Sequence, residues 1–213
     1  MLHILLATRN PRKMRELREI LAAASAQGVV WRGLHEFPTV PDAPETGQTL
    51  AENARAKALY YATATRLLTL ADDSGLEVDA LGGAPGVYSA RYAGTPRDDA
   101  ANNRKLVAAL ASVPWERRTA RFRCAMALAE PGRILLESTG TLEGLIIDEP
   151  RGSNGFGYDP HFLLPALKKT VAELPAEQKN ALSHRGRAAR ALLPQLMALL
   201  HARREAAQTD DGR

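Results

Sequence analysis

Two adjacent carboxylates follow directly on a run of apolar, strand-like residues, and no other feature of the sequence restricts the fold as much. The run Leu67–Ala71 leads into Asp72 and Asp73, which a Ser-Gly pair follows. Like charges side by side repel each other, and burying a carboxylate is costly unless a positive group meets it. In an open α/β sheet, ligands bind outside the carboxyl ends of the strands. The stretch therefore predicts a strand that ends at a metal or at a reacting water, although Asp, Ser and Gly are also typical of a solvated turn.

Length and composition limit the number of domains, the disulfides and the cellular location that this chain can have. The 213 residues suit one large domain or two closely joined lobes. The single cysteine, Cys124, excludes an internal disulfide, and we expect it to be buried in a strand rather than to act as a nucleophile. The apolar run at the N-terminus is too short for a signal peptide, and no stretch approaches the roughly 20 apolar residues that span a bilayer. We therefore expect a cytoplasmic protein without a membrane partner.

The formal net charge of +4 suits anionic ligands but does not require nucleic acid. Clustered basic and aromatic residues are typical of RNA-binding surfaces, whereas the arginines here are scattered and aromatic residues make up only 5%. We expect no nucleic-acid partner. A non-catalytic module that binds nucleotide or RNA stays as the alternative from a different class.

The first strand and helix predict a phosphate-binding corner. Leu2–Thr8 is typical of a short buried strand, after which Asn10 and Pro11 are suited to the N-cap and the first position of a helix. A helix start presents free N–H groups and the positive end of its dipole, which favour phosphate. Lys13, in the first turn, opposes that dipole unless an anion is bound. An ordinary strand-to-helix turn with a solvated lysine is the alternative.

The next two segments supply further candidate groups. A Thr49–Glu52 capping box predicts a helix to about Arg66, and Lys57 lies inside it. Glu45 precedes this helix and is either a third acid for a metal or a surface residue near the helix entrance. The glycine-, alanine- and proline-rich stretch 76–94 predicts a long loop, a class of segment that is often functional.

The rest of the chain predicts an α/β protein and a second glycine-rich loop. We expect one domain of two lobes over residues 1–207 and a flexible tail over 208–213. Gly152–Pro160 lets the backbone approach a ligand closely. The further elements that we predict are strands at 29–32, 119–129, 134–147 and 161–164, a hairpin turn at 130–133, a helix over 97–111 capped by Thr95-Pro96, and a last helix capped by Ser183 and kinked at Pro194.

Three kinds of candidate site thus occur in one chain. The corner Thr8–Lys13 suits phosphate, and the acids Asp72, Asp73 and Glu45 suit Mg²⁺, a hard ion that prefers carboxylates together with substrate phosphates. Phosphate, metal and a stacking surface together indicate a nucleotide, while the glycine pattern of a P-loop is absent from the sequence. The residues with flat faces or polar edges for a base are Phe156, Tyr158, Asp159, Lys179, His184 and Arg185.

Seven stretches, taken in order, resemble the inosine triphosphate pyrophosphatase family, which acts on non-canonical purine nucleoside triphosphates. The resemblance extends from about Leu2 to Leu200 and includes the bacterial-type loop Leu81–Tyr92. It implies a long twisted mixed sheet flanked by helices, in two lobes with a nucleotide cleft between them. The other stretches are Ala7–Lys13, Glu45–Gly47, Glu52–Ala54 with Lys57, Ala71–Leu76, Gly155–Pro160 and Ser183–Gly186.

The resemblance also implies a reaction and a homodimer. ITP, dITP or XTP would react with water and Mg²⁺ to give the monophosphate and pyrophosphate, with ATP and GTP as poor substrates. It assigns Asp73 as the general base and a metal contact, with Asp72 and Glu45 as further acids of the metal site. A pyrophosphatase for another modified nucleotide is the alternative enzyme. The positions that would bind the substrate are Thr8, Arg9, Asn10, Pro11, Arg12, Lys13, Lys57 and Ser74 for the phosphates, and Phe156, Gly157, Tyr158, Asp159, Lys179, His184 and Arg185 for the base.

Two positions depart from the family pattern. Arg9 stands where the family often has a small residue, and its side chain would either narrow the phosphate corner or add a charged contact. Pro44 precedes Glu45 where many relatives carry a second acid. The role of Asp73 is therefore better defined than the choice of the acids that complete a metal site.

Overall fold

A seven-stranded mixed sheet in the order β2-β1-β3-β4-β5-β6-β7 forms the centre of the protein. The structure, a computed structural model, describes residues 1–210. Parallel pairing joins β2, β1 and β3, and every later neighbour is antiparallel. The predicted α/β class with a mixed sheet is confirmed. The strands are β1 (Leu2–Leu6), β2 (Val29–Gly33), β3 (Leu68–Val78), β4 (Thr119–Glu130), β5 (Arg133–Ile146), β6 (Phe162–Leu164) and β7 (Lys169–Thr170).

Six α-helices flank the sheet. Within residues 1–210, no helix combines the length and apolar character needed to cross a membrane. Residues 208–210 of the predicted tail are the end of the last helix, and residues 211–213 lie outside the described part of the chain. The helices are α1 (Pro11–Ile20), α2 (Ala22–Ala26), α3 (Leu50–Thr65), α4 (Asp99–Ala109), α5 (Ala176–Leu182) and α6 (His184–Asp210).

The third strand corrects the sequence-based prediction. The strand does not end at the two aspartates, and Ser74-Gly75 is not a turn, because β3 continues through them to Val78. Pairing with β4 extends without a break from Thr69 to Val78, past the charged residues. The aspartates therefore lie in the middle of a central strand.

Two further boundaries differ from prediction. The helix after the long loop begins at Asp99, and its N-cap is Asp98 rather than Thr95, because the Asp98 carboxylate accepts a hydrogen bond from the Ala101 N–H. The predicted loop 76–94 begins as strand and then forms two 3₁₀ helices, Asp79–Leu81 and Gly86–Arg91. The predicted hairpin of β4 and β5 is confirmed.

Three apolar clusters divide the molecule into two lobes. The larger lobe has a core on each face of the sheet, one formed with α1, α2 and α6 and the other with α3. The third cluster lies in the smaller lobe, where Leu106 of α4 and Phe162 of β6 pack on the far ends of β4 and β5. Cys124 is buried in β4 as predicted, and burial raises the pKa of its thiol to about 12. A thiol with that pKa is not a nucleophile at neutral pH.

The start of α6 is fixed against the sheet by a cap and by a glycine. The Ser183 hydroxyl accepts a hydrogen bond from the Gly186 N–H, which confirms the predicted cap. Gly140 of β5 lies under this turn, where a Cβ atom would be 2.1 Å from the carbonyl oxygen of His184 and 2.5 Å from the Ala188 nitrogen. The close approach places the first residues of α6 against β5, from where the Arg185 side chain reaches Asp72 and Ser74 of β3.

We expect Gly140→Ala to lower the free energy of unfolding by about 1–3 kcal/mol, because the added methyl group overpacks the contact between β5 and α6. Urea denaturation of the variant and of the wild type measures this change. Thr139→Ala, at the neighbouring exposed position of the same strand, is the control and is expected to change stability far less. Equal midpoints for Gly140→Ala and the wild type would contradict the close approach.

Candidate active site

A cavity of about 800 Å³ lies between the two lobes, a size typical of small-molecule sites. It brings together all of the predicted site residues from seven separate parts of the chain. The residues predicted from sequence that line it are Thr8, Arg9, Asn10, Pro11, Arg12, Lys13, Glu45, Lys57, Asp72, Asp73, Ser74, Phe156, Gly157, Tyr158, Asp159, Lys179, His184 and Arg185.

The shortness of β1 opens this cavity. β1 pairs with β3 only along Leu68–Leu70, so that in the described structure the edge of β3 beyond that point has no strand beside it. Successive side chains of a strand point to opposite faces of its sheet. Asp72 therefore meets groups from α1 and α6, whereas Asp73 meets groups from α3. Adjacent carboxylates are tolerated here because each faces its own cations.

Asp72 lies between two cations. Its Oδ2 atom is 2.9 Å from the Lys13 Nζ and 3.3 Å from the Arg185 Nε. Burial alone would raise the pKa of Asp72, but Lys13 and Arg185 hold it well below its usual range. The side chain of Lys13 is only 18% exposed, so the alternative of a solvated lysine is wrong.

Asp73 is held from the other face of the sheet. The Lys57 Nζ lies 2.8 Å from one carboxylate oxygen of Asp73, and the Asn53 amide donates a hydrogen bond of 3.1 Å to the other. The same ammonium lies 3.2 Å from Glu45. Burial lowers the pKa of Lys57, but Asp73, Asp72 and Glu45 together outweigh burial and keep that pKa raised. Lys57 thus joins the two carboxylates.

The phosphate corner is confirmed as a helix N-terminus, but its donors are partly occupied. The Asn10 side chain accepts hydrogen bonds from the backbone N–H groups of Arg12 at 2.9 Å and Lys13 at 3.4 Å. Arg9 turns away from this corner, because its guanidinium donates to the Asp42 carboxylate at 2.6 Å and to the Val40 carbonyl at 2.7 Å. The positive charge at the corner therefore comes from Lys13, from Arg12 and from the helix dipole.

The opposite end of the cavity presents an aromatic ring beside cations. The Lys179 Nζ lies 4.7 Å and the Arg185 guanidinium 5.7 Å from the centre of the Phe156 ring. One carboxylate oxygen of Asp159 accepts hydrogen bonds of 2.8 Å from both Lys179 and the Phe156 N–H. Tyr158 is tied to the smaller lobe by a hydrogen bond of 2.7 Å to the Ser89 carbonyl. The ring is thus held at a defined position.

His184 completes this end of the cavity. It is 7% exposed, and its ring stacks on Phe122 with the ring centres 4.9 Å apart. Burial and the neighbouring Arg185 lower the pKa of His184 well below its usual value, so the imidazole is neutral at pH 7. Its Nδ1 has no hydrogen-bond partner among the described residues, although it is buried. A buried polar atom of this kind is suited to a ligand.

Sequence reasoning did not assign a role to Glu16. Its carboxylate joins the two cations of the base end, with one oxygen 2.7 Å from the Lys179 Nζ and the other 2.5 Å from the Arg185 Nη1. Burial raises the pKa of Glu16, but Arg185 and Lys179 hold it below its usual value. Its spacing of three residues from Lys13 places both side chains on one face of α1, and this spacing alone could have identified Glu16 from the sequence.

Asn53, Arg91 and Arg97 were also not predicted as site residues. Arg91 and Arg97 contact the same oxygen of Glu45, at 3.1 and 3.8 Å, from the long loop of the smaller lobe. Such contacts join segments about 50 residues apart, and no local pattern in the sequence reports them.

The acids of the cavity are the groups that would have to hold a divalent metal. Among residues 1–210, no group of three or more acidic, histidine or cysteine side chains converges to hold an ion by itself. Mg²⁺, however, usually takes one or two carboxylates together with substrate phosphates. Glu45 and Asp73 fit that pattern, because they already share one cation in Lys57. Asp72 contacts its cations on the opposite face of β3 and does not join them.

Fold and site together define an α/β protein with a cleft for an anionic, aromatic ligand. The chain belongs to the Ham1 family, which matches residues 4–195. Among solved structures, a HAM1 protein from Coxiella burnetii is 44% identical, with a TM-score of 0.84, and covers 93% of this chain and 100% of that one. A dITP/XTP pyrophosphatase from Mycobacterium abscessus is 46% identical with a TM-score of 0.73, covering 92% of this chain and 100% of that one.

Curated relatives carry the name dITP/XTP pyrophosphatase as well. The dITP/XTP pyrophosphatase of Desulforamulus reducens is 53% identical over 87% of this chain and 90% of its own length. That of Nocardia farcinica is 52% identical over 93% of this chain and 97% of its own length. The resemblance inferred from seven sequence stretches is thereby confirmed.

The neutral His184 makes stability depend on pH. Its folded pKa is lower than the unfolded value, so its contribution is complete above about pH 6.5 and decreases as the pH falls. Between pH 7 and 5.5 we expect this residue to account for a loss of about 1 kcal/mol in the free energy of unfolding. Urea denaturation at a series of pH values measures the loss.

His184→Gln is expected to flatten this part of the pH profile, because glutamine does not titrate. His201→Gln is the control, since the side chain of His201 is 74% exposed. If His184→Gln keeps the full slope of the wild type between pH 7 and 5.5, His184 is not the group responsible.

Proposed function

We propose that this protein hydrolyses non-canonical purine nucleoside triphosphates, namely dITP, XTP and ITP, to the monophosphate and pyrophosphate. One observation carries the proposal. A single cavity contains a helix N-terminus with Lys13, the carboxylate Asp73 and an aromatic wall at Phe156, so a nucleotide fits with its phosphates near the acids. The relatives named dITP/XTP pyrophosphatase, which match about nine-tenths of the chain, support the same reaction.

Asp73 is proposed to activate the attacking water. The water oxygen forms a bond to the α-phosphorus, the bond from that phosphorus to the bridging oxygen breaks, and pyrophosphate leaves with the bonding electrons. A proton of the water passes to the Asp73 carboxylate. Lys57 and Asn53 hold this carboxylate from behind, which limits its rotation.

Glu45 and Asp73 are proposed to hold Mg²⁺ together with phosphate oxygens of the substrate. When bound, the ion would neutralise phosphate charge and polarise the α-phosphate. Asp72 is assigned a different part. Its buried ion pairs with Lys13 and Arg185 connect the phosphate corner to the base end, and we regard it as a positioning residue.

The base end favours a purine with a 6-oxo group. Lys179 and Arg185 are cationic donors beside the Phe156 ring, and His184 offers a neutral imidazole. A 6-oxo group accepts hydrogen bonds from such donors, whereas the amino group of adenine would leave them unpaired. An unpaired buried donor costs more than a missing contact, so ATP is expected to be a poor substrate.

The substrate panel that tests this function measures pyrophosphate release from ITP, dITP, XTP, ATP and GTP, with Mg²⁺ and with EDTA. We expect the first three to be hydrolysed with much higher kcat/KM than the last two, and only with Mg²⁺. Absence of release from all three non-canonical substrates in the presence of Mg²⁺ would refute the proposal. Equal hydrolysis of ATP and ITP would refute the assignment of the base end.

We expect Asp73→Asn to lower kcat for ITP by about 10²–10⁴-fold, the usual contribution of a general base. Binding of IMP should change little, since asparagine keeps the size of the side chain. Glu143→Gln, an exposed acid on β5, is the control. A kcat within twofold of the wild type in Asp73→Asn would exclude Asp73 as the base.

We also propose that the protein forms a homodimer, as the family resemblance implies. Two large apolar side chains on the surface, Tyr88 at 60% and Trp115 at 55% exposure, are consistent with a contact between copies. Light scattering coupled to size-exclusion chromatography gives the mass. The cytoplasmic location and the absence of a nucleic-acid partner stay predictions.

A further inference from the structure

Two arginines of the smaller lobe converge on one carboxylate in the lining of the cavity. The Nη1 atom of Arg91 lies 3.1 Å and the Nη2 atom of Arg97 lies 3.8 Å from the same oxygen of Glu45. The Arg91 guanidinium also lies 5.4 Å from the centre of the Tyr88 ring, which supports it from one side. Arg97 is 60% exposed in its side chain. Both arginines line the cavity.

Glu45 alone does not balance the charges around it. Its second oxygen lies 3.2 Å from Lys57, so one carboxylate contacts three cations. Asp73 contributes one more negative charge through Lys57. The cavity as a whole is lined by eight arginine or lysine side chains and six carboxylates. A cleft with an excess of cations attracts anions, and its field is strongest where the cations cluster.

The order of contacts gives the cavity a direction. Arg185, beside the Phe156 ring, contacts Asp72, and the next residue of β3, Asp73, contacts Lys57. Three successive contacts, none longer than 3.2 Å, connect Asp73 through Lys57 and Glu45 to Arg91. With the base at Phe156 and the α-phosphorus at Asp73, as in the proposed function, the remaining phosphates extend toward the two arginines.

We propose that Arg91 and Arg97 bind the two phosphates that leave as pyrophosphate, and that Glu45 competes with those phosphates for the guanidinium groups. Guanidinium groups match phosphate oxygens with two parallel hydrogen bonds, which a single carboxylate oxygen does not use. A phosphate chain carries more charge than Glu45, so it displaces the carboxylate. Glu45 is then free to contact a metal. The inference rests on the proposed function for the direction in which the nucleotide lies.

Binding of inorganic pyrophosphate and of IMP, measured by calorimetry in EDTA, tests the proposal without any metal held by Glu45. The variants are Arg91→Gln, Arg97→Gln and the double variant. We expect each single change to weaken pyrophosphate binding by about tenfold, since hydrogen bonds between charged groups are among the strongest in proteins. The affinity for IMP should stay within twofold, because IMP has no phosphate beyond the α-position.

Matched variants distinguish phosphate binding by the two arginines from a general effect of charge and from a role in positioning Glu45. Arg133→Gln removes one exposed arginine at the β4–β5 turn, and it should leave pyrophosphate binding unchanged. Glu45→Gln removes the competing charge but keeps the shape of the side chain. If the arginines bind phosphate, Glu45→Gln binds pyrophosphate more tightly than the wild type in EDTA, and most of this gain is lost when Arg91→Gln and Arg97→Gln are added. If they serve only to hold Glu45, the gain is the same with and without the two arginines, because Glu45→Gln also releases Lys57.

Three results would overturn the proposal: unchanged pyrophosphate affinity in the double variant, equal loss of IMP and pyrophosphate affinity, or an equal loss in Arg133→Gln. Thermal unfolding shows whether each variant is folded, and Arg97→Gln alone decides the question if Arg91→Gln is unstable, since Arg97 lies at the surface. A wild-type protein that binds pyrophosphate through these arginines yet releases none from ITP, dITP or XTP would refute the proposed function and not this site.

Discussion

The ion pair of Asp72 and Arg185 is the contact on which the cleft depends. Both side chains are almost completely buried, and they join the central strand β3 to the first turn of α6. A buried carboxylate or guanidinium without its partner would cost several kcal/mol. Neither segment is therefore stable in this position without the other. Because β3 carries the acids and α6 carries the base-end residues, one contact fixes the two halves of the site relative to each other.

Further charges extend this pair into a chain across the cavity. Lys13 adds α1 on one side of Asp72, and Glu16 connects Arg185 to Lys179 and through it to Asp159. Carboxylates and cations alternate along this chain, so each buried charge is compensated by neighbours of opposite sign. Such a network holds charged groups at fixed, buried positions, which strengthens their interaction with a ligand. The same residues thus hold the lobes together and form the binding surface.

A second group of charges lies around Lys57, and in it the cations outnumber the carboxylates instead of alternating with them. Glu45 meets three cations there, two of which come from the smaller lobe. These contacts are more exposed than the pair of Asp72 and Arg185. Partly exposed ion pairs contribute little to stability, and their partners exchange at low cost. The charged groups at the base end of the cleft are therefore held in buried, fixed ion pairs. Those at the phosphate end form more exposed ion pairs that exchange partners more easily.

The sequence by itself determined the α/β class, the caps at Asn10 and Thr49, the α3 helix, the hairpin of β4 and β5 and the membership of every predicted residue in one cavity. These features depend on local periodicity, on caps and on motifs that a short stretch contains. The capping box at Thr49 formed only in part, because the Glu52 carboxylate accepts a hydrogen bond from the Gln48 N–H and not from Thr49. Only the tertiary structure decided that β3 continues through its aspartates, that these point to opposite faces, and that Arg9 turns to Asp42. It also added Glu16, Asn53, Arg91 and Arg97 to the residues of the site. The physical reason is that each of these depends on partners far away in the chain, since a strand passes through charged residues only where cations from other elements meet them.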